Sequence, residues 1–168
     1  MGTSIPRMEE LSILVELMSW KMTNATVTKS GSPSGSSDDY DFKGTNAAVL
    51  ASSGTLTLKN SPVTTGASYG NALFAYNKGT IIADGVTITT TGRNSGGVMV
   101  TGGGTLTANN CTVTTSGNSA APIRSDRGGG TLTVNGGAYT AKGRGSPAIY
   151  CTADITVNIY SRKGGRCK

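Results

Sequence analysis

Apolar and polar residues alternate with a period of two along most of this chain, and the alternating blocks recur at a fixed distance. Four blocks begin with a glycine that precedes a threonine and an apolar residue, at Gly54, Gly79, Gly104 and Gly130, and Ala153 begins a fifth. Successive starts lie 25, 25, 26 and 23 residues apart. A period of two is typical of β-strands buried on one face, and a fixed longer period is typical of repeat proteins.

Each block predicts three short strands whose inward side chains align from block to block. The inward residues are Leu56/Leu58, Ile81/Ala83, Leu106/Ala108 and Leu132/Val134 in the first strand, Val63, Ile88, Val113 and Tyr139 in the second, and Leu73, Val98, Ile123 and Ile149 in the third. Asparagine or glycine follows each first strand, and these residues adopt left-handed backbone at least cost. The pattern predicts an all-β fold, a right-handed parallel β-helix (solenoid) of about five coils.

The repeat places the solenoid at residues 19–158, with an insertion at 32–44. Residues 19–31 open the first coil, because they align without a gap on 105–117 and put Trp20 at an inward position. The insertion is rich in Ser, Gly and Asp, and this composition predicts a loop.

Residues 1–18 and 159–168 depart from the repeat. Apolar residues recur at helical spacing within 1–18, which predicts a short helix capping the first coil; a segment foreign to the fold is an equal alternative. This segment lacks the basic start and cleavage site of a secretory signal. Residues 159–168 form a basic tail, and Ile159 stands where Asn or Gly should bend the chain. We therefore interpret the chain as a truncated piece of a longer solenoid.

The charge distribution argues against a nucleic-acid partner. The net charge is +6, but four of the 15 basic residues lie in the last seven positions. The other 11 nearly balance nine acidic residues, so we expect no basic face on the coils. No stretch approaches the ~20 apolar residues of a membrane span. Histidine is absent, which removes the most common general base.

Three stretches carry a resemblance to a known family. "SGGVMVTGGGTLTANN", "IRSDRGGGTLTVNGG" and "GSPAIYCTADITV" resemble the repeats of adhesin-like right-handed β-helix proteins of gut bacteria, which have the pectin-lyase-like fold. The resemblance spans roughly residues 23–158. It implies an extracellular or cell-surface location and a non-catalytic adhesin-like module that is part of a larger protein.

The same fold also resembles that of polysaccharide lyases and glycoside hydrolases, which is the main alternative. Hydrolases need two carboxylates that flank the bond to be cut. The acids of the coils are Asp84, Asp126 and Asp154, and they fall at different positions within their repeats. We therefore expect them to lie apart, which favours a non-catalytic protein.

Outward residues of the third strand form the best candidate binding surface. Phe74, Met99, Arg124 and Tyr150 each follow an inward residue and should stack as an exposed column. Beside them lie Tyr76, Thr101, Asp126 and Thr152. Aromatic faces suit the C–H side of a sugar, and charged groups bind its hydroxyls. The column therefore predicts a site for a polysaccharide or host glycan, with a structural side-chain ladder as the alternative.

The insertion holds a group of acids, Asp38, Asp39 and Asp41. Short acidic loops supply oxygen ligands to calcium, so a calcium site is one hypothesis and a solvated loop is the other. The residues suggest no other cofactor.

Two further hypotheses come from the repeat itself. Outward threonines at Thr55, Thr105 and Thr131 resemble the flat arrays of ice-binding solenoids, although Ile82 interrupts this array. Open end coils offer unpaired strand edges, so self-association through the end coils is the second hypothesis.

Overall fold

The computed structural model describes residues 13–15, 19–31 and 33–158, and its parallel strands stack as a β-solenoid. In chain order the strands are β1 (Ile13–Val15), β2 (Ser19–Thr23), β3 (Val27–Lys29), β4 (Val49–Ser52), β5 (Thr55–Lys59), β6 (Pro62–Thr65), β7 (Leu73–Tyr76), β8 (Thr80–Asp84), β9 (Thr87–Thr90), β10 (Val98–Val100), β11 (Gly104–Asn109), β12 (Thr112–Thr115), β13 (Ile123–Ser125), β14 (Gly130–Asn135), β15 (Ala138–Ala141), β16 (Ile149–Tyr150) and β17 (Asp154–Asn158). The predicted fold class is confirmed.

The strands form three sheets that run along the solenoid. The first sheet contains β2, β5, β8, β11, β14 and β17; the second contains β3, β6, β9, β12 and β15; the third contains β1, β4, β7, β10, β13 and β16. Pairing is parallel and in the register of the repeat, so that Leu106 pairs with Leu132 and Val98 with Ile123. Equal repeat positions therefore stack in columns with a spacing of ~4.8 Å.

The inward side chains form one continuous core, as predicted. Its fully buried members include Leu56, Leu58, Ile81, Leu106, Leu132, Val63, Leu73 and Val98. Trp20 and Ile149 also occupy inward positions, but they are 53% and 44% exposed. Among the described residues, β2 and β16 each pair with a strand on one side only, so these two side chains lack a covering coil.

The predicted bends have the backbone conformation that their residue types favour. Asn24, Asn60 and Asn110 have φ values of 54°, 46° and 50°, and Gly85 and Gly136 have 63° and 65°. In this region the Cβ of every residue except Gly crowds the following carbonyl, and Asn offsets part of this cost because its side chain can hydrogen-bond locally. The Asn and Gly residues therefore fix the corner between the first and second sheets.

The helix predicted within residues 1–18 is wrong at residues 13–15. These residues form β1, which pairs in parallel with β4 and places Ile13 opposite Val49. An Ile-Leu-Val run suits a strand, and the edge of β4 offers unpaired backbone groups that a strand satisfies and a helix does not. The rest of the predicted helix and the tail at 159–168 lie outside the described residues.

The loop predicted at 32–44 contains a short helix, α1 (Ser37–Phe42). Ser36 is its N-cap: its hydroxyl accepts a hydrogen bond from the Asp39 N–H at 3.2 Å and donates one to the Asp39 carboxylate at 2.8 Å. Asp38 and Asp39 lie in the first turn, where the positive end of the helix dipole stabilises negatively charged side chains. Gly44, with φ of 68°, lets the chain leave the helix sharply.

The bends give a test of the repeat. Replacing Asn110 with Ala should lower the free energy of unfolding by about 1 kcal/mol, because Ala keeps the crowded Cβ and loses the local hydrogen bonding of the Asn side chain. Replacing Asn110 with Gly should change it by no more than a few tenths of a kcal/mol. Denaturant unfolding of both variants measures the difference. Equal losses in the two variants would contradict the role assigned to the left-handed bend.

Candidate functional site

The outward side chains of the third sheet stack in a column as predicted. Leu50, Phe74, Met99, Arg124 and Tyr150 occupy successive paired positions on β4, β7, β10, β13 and β16. Tyr76, Thr101, Asp126 and Thr152 lie two residues further along the same strands or just after them. The column and its neighbours are called the outer face below.

The prediction that the whole outer face is exposed is wrong. Phe74 and Met99 are fully buried, and with Ala47 they form a second apolar cluster, separate from the solenoid core. Leu50 and Tyr76 are partly buried against it. Thr101 is also buried. These side chains point away from the core, yet another part of the chain separates them from solvent.

The covering segment is residues 33–47, which we call the strap; it includes α1. A Cβ built on Gly44 would lie 2.6 Å from Cγ of Phe74, so this glycine rests directly on the aromatic ring. The Thr101 hydroxyl donates to the Phe42 carbonyl at 2.7 Å, and the Asn46 amide donates to the Ser68 carbonyl at 2.9 Å. These contacts tie the strap to two successive coils, so it is not a solvated loop.

Arg124 joins the strap to the outer face. Its Nη2 and Nε donate to Oδ2 of Asp126 at 2.7 and 3.2 Å, and its Nη1 donates to Oδ1 of Asp41 at 3.3 Å. The Arg124 side chain is 13% exposed. Asp126 lies on the third-sheet side and Asp41 in α1, so a single guanidinium neutralises two carboxylates from distant parts of the sequence.

The three acids of the strap do not gather around a common point. Asp39 pairs with Lys43 at 2.7 Å, Asp38 with Arg127 at 3.6 Å and Asp41 with Arg124 at 3.3 Å. Within the described residues no three His, Cys, Asp or Glu side chains are placed to hold a metal ion. The three carboxylates therefore lie apart in this arrangement, and a calcium site at Asp38, Asp39 and Asp41 stays a prediction.

The environment of Asp41 shifts its titration. Burial raises the pKa of Asp41 above its ordinary value of 3.8, and the Asp126 and Asp38 carboxylates raise this pKa further. Arg124 opposes the increase through its charge and its hydrogen bond, but burial outweighs it. A carboxyl group with a raised pKa holds its proton to a higher pH than a free carboxyl.

Solvent reaches the outer face at its C-terminal end. Tyr150 is 43% exposed, and Thr152 beside it is also exposed. The Arg124 guanidinium lies 5.7 Å from the centroid of the Tyr150 ring, and the Arg127 guanidinium lies 3.9 Å from that of Phe42. This end therefore presents a partly exposed aromatic ring beside Arg124, whose guanidinium is paired with Asp126 and Asp41.

A cleft of about 310 Å³ opens along the opposite side of the strap. Lys29, Asp39, Tyr40 and Asn46 are among the residues that line it. Most of these polar groups already have partners within the chain: Asp39 binds Lys43, Asn46 binds Ser68, and the Tyr40 hydroxyl accepts from the Gly35 N–H.

Sequence reasoning missed the approach of Asp41 to Asp126 and the burial of Thr101. Asp41 and Arg124 are 83 residues apart, and the strap occurs once, so no repeat position indicates its partners. The one usable signal was the capping sequence at Ser36 and Asp39, which predicts a helix start.

Comparison of the chain with protein-family models, curated proteins and solved structures found no match. The resemblance to adhesin-like proteins therefore stays a prediction. The described part of the chain contains no helix long and apolar enough to cross a membrane.

The contact of Gly44 with Phe74 can be tested with a matched pair of variants. Gly44 and Gly103 both have positive φ, 68° and 78°, but a Cβ at Gly103 would meet nothing within 4 Å. Gly44→Ala should therefore lower the free energy of unfolding by roughly 1–3 kcal/mol more than Gly103→Ala does. It should also speed proteolysis within residues 33–47. Equal losses in the two variants would show that the strap does not press on Phe74.

The raised pKa of Asp41 predicts a pH dependence of stability. A folded pKa above the unfolded one adds stability at low pH, and this contribution is lost as pH rises through the folded pKa. The unfolding free energy of the unmodified protein minus that of Asp41→Asn should therefore fall as pH rises from below 3.8 through the raised pKa of Asp41. Denaturant unfolding across this range measures it. A difference that grows with pH would mean that pairing with Arg124 outweighs burial.

Proposed function

We propose that this protein is a non-catalytic surface or secreted adhesin-like module that binds a glycan at the uncovered end of the outer face. The supporting observation is the exposed ring of Tyr150 beside Arg124, Asp126 and Thr152. An open aromatic ring suits the apolar face of a sugar, and the charged groups suit its hydroxyls.

The proposed site is smaller than the one expected from the sequence. Tyr150, Thr152, Arg124 and Asp126 remain within it, because they lie at or near the exposed end. Phe74, Met99 and Thr101 are buried under the strap, and Tyr76 is half-buried, so these four residues lie outside the proposed site. Replacing Phe74 with Ala should therefore act mainly on stability.

A polysaccharide lyase or hydrolase is the second candidate, and one observation favours it. Asp41 and Asp126 both bind Arg124, so two carboxylates lie at one place on the outer face. A carboxyl group with a raised pKa, such as that of Asp41, suits a general acid. Arginine keeps its proton in proteins, however, and Arg124 would not serve as the base.

Replacing Tyr150 with Ala tests the binding site. Capture of pectin, glucan and mucin on immobilised protein should weaken at least about tenfold, which corresponds to the loss of about 1.4 kcal/mol. The matched control is Ile82→Thr, because Ile82 is another exposed apolar residue and pairs with Thr57 and Thr107. The control should bind as the unmodified protein does.

The same samples distinguish the two candidate functions. New chain ends released above a heat-inactivated control, and lost in Asp41→Asn, would replace the binding module by an enzyme. Capture without release supports the binding module. Capture that survives Tyr150→Ala unchanged would contradict the assigned site.

A further inference from the structure

The corner between the second and third sheets carries an exposed group of cations. Arg93, Lys142 and Arg144 lie there and are all exposed. The corner segments 66–72, 91–97, 116–122 and 142–148 contain no Asp or Glu. Within the described residues none of the three cations forms an ion pair, whereas Lys43, Lys59, Arg124 and Arg127 all do. We call these three residues the basic edge.

Stacked glycines hold the basic edge in register. A Cβ at Gly117 would overlap the Gly92 carbonyl, and one at Gly143 would overlap the Gly117 carbonyl, so the coils touch through bare backbone here. Arg93 and Arg144 follow the first and last of these glycines directly. They therefore share one column, two coils and about 10 Å apart. This fixed spacing suits a ligand with repeated negative charges.

The basic edge borders the proposed glycan site. A Cβ at Gly96, in the same corner, would lie 4.0 Å from Cδ of Arg124. Arg144 precedes Tyr150 by six residues, at the point where the last described corner leads into β16. A polymer seated on Tyr150 would therefore meet the basic edge first at Arg144.

The partner is better matched to a sugar polymer than to a nucleic acid. Proteins that bind single strands combine cations with aromatic side chains on which successive bases stack. Thr91, Ser116 and Asn118 occupy the exposed positions between the cations, and the only aromatic residue of the four corner segments, Tyr69, is half-buried with its ring against Tyr40. Hydroxyl and amide groups suit the hydroxyls of a sugar chain, while the cations suit its carboxylates or sulfates.

We propose that the basic edge selects an anionic polysaccharide, one bearing uronate or sulfate groups, as the glycan of this protein. This inference rests on the proposed glycan site at Tyr150 and names its ligand class. It also corrects the expectation that the coils carry no basic face.

The repeat itself supplies variants for the test. Arg93→Ser, Lys142→Ser and Arg144→Asn give the residues that other coils carry at these positions, namely Ser68, Ser116 and Asn118. The control removes three exposed cations elsewhere by the same logic: Lys21→Thr, Lys59→Asn and Lys78→Gly, matching Thr57, Asn109 and Gly103. The two triple variants have equal net charge, so any difference between them reports position.

Binding is measured with polygalacturonate, dextran sulfate, neutral dextran and a single-stranded oligonucleotide, at low and physiological salt. The basic-edge variant should lose at least about tenfold in affinity for both polyanionic sugars, and the control less than about threefold. Salt should weaken binding by the unmodified protein more than by the basic-edge variant.

The other outcomes would overturn the inference. Equal losses in both triple variants would mean that only net charge matters. Tighter binding of the oligonucleotide than of either sugar would make the partner a nucleic acid. Tyr150-dependent capture of neutral dextran without preference for the polyanions would refute the anionic ligand and leave the glycan site standing. Capture of no polysaccharide would refute both.

Discussion

Parallel, in-register pairing of each coil with the next is the constraint on which the rest of this structure depends. Because of this pairing, residues at the same repeat position stack in a column along the solenoid. The residue types in a column therefore determine the chemistry of one strip of the surface. Inward columns of Leu, Ile and Val bury their apolar surface together, and no coil encloses a core alone. Bend columns of Asn and Gly set the corners. Outward columns of Thr, Asn or charged residues then define faces of distinct chemistry.

The strap packs on one of these faces, the outer face of the third sheet. Phe74 and Met99 break the polar character of the outward columns, and the strap buries both. On the coil after Met99, Arg124 forms ion pairs with Asp41 and Asp126 in place of an apolar contact. A side chain such as Arg124 is expensive to bury unless it is paired, so these carboxylates allow the face to close. With the strap packed on the outer face, Tyr150 is the exposed aromatic residue of that face, and it lies next to the basic edge.

The fold was largely predictable from sequence because each coil repeats the same information. Leu56, Ile81, Leu106 and Leu132 report one position four times, and their agreement compensates for the weak preference of any single residue. Strand β1 was not predicted, although the spacing of the repeat indicates it. Ile13 precedes Ser19 by six residues, and Val49 precedes Thr55 by the same number. The apolar residues in this part of the chain also fit a helical spacing, so a helix was predicted in place of the strand.

The site was less predictable because its contacts lie outside the repeat. The column of Phe74, Met99, Arg124 and Tyr150 followed from the period, but its exposure depended on a segment that occurs once. Nothing in the order of residues indicates that Asp41 meets Arg124, since two whole coils, 54–78 and 79–103, lie between them in the chain. The acids of the strap likewise read as a possible metal loop, yet each one pairs with a different cation.

The most direct test of this account is a map of where a glycan contacts the protein. Amide chemical-shift changes would be recorded by NMR while an oligogalacturonate is added to the isotopically labelled chain. The account predicts changes at Tyr150, Thr152 and Arg144, with Phe74 and Met99 unaffected beneath the strap. Changes centred on Phe74 and Met99, or on the threonines of the first sheet, would contradict it.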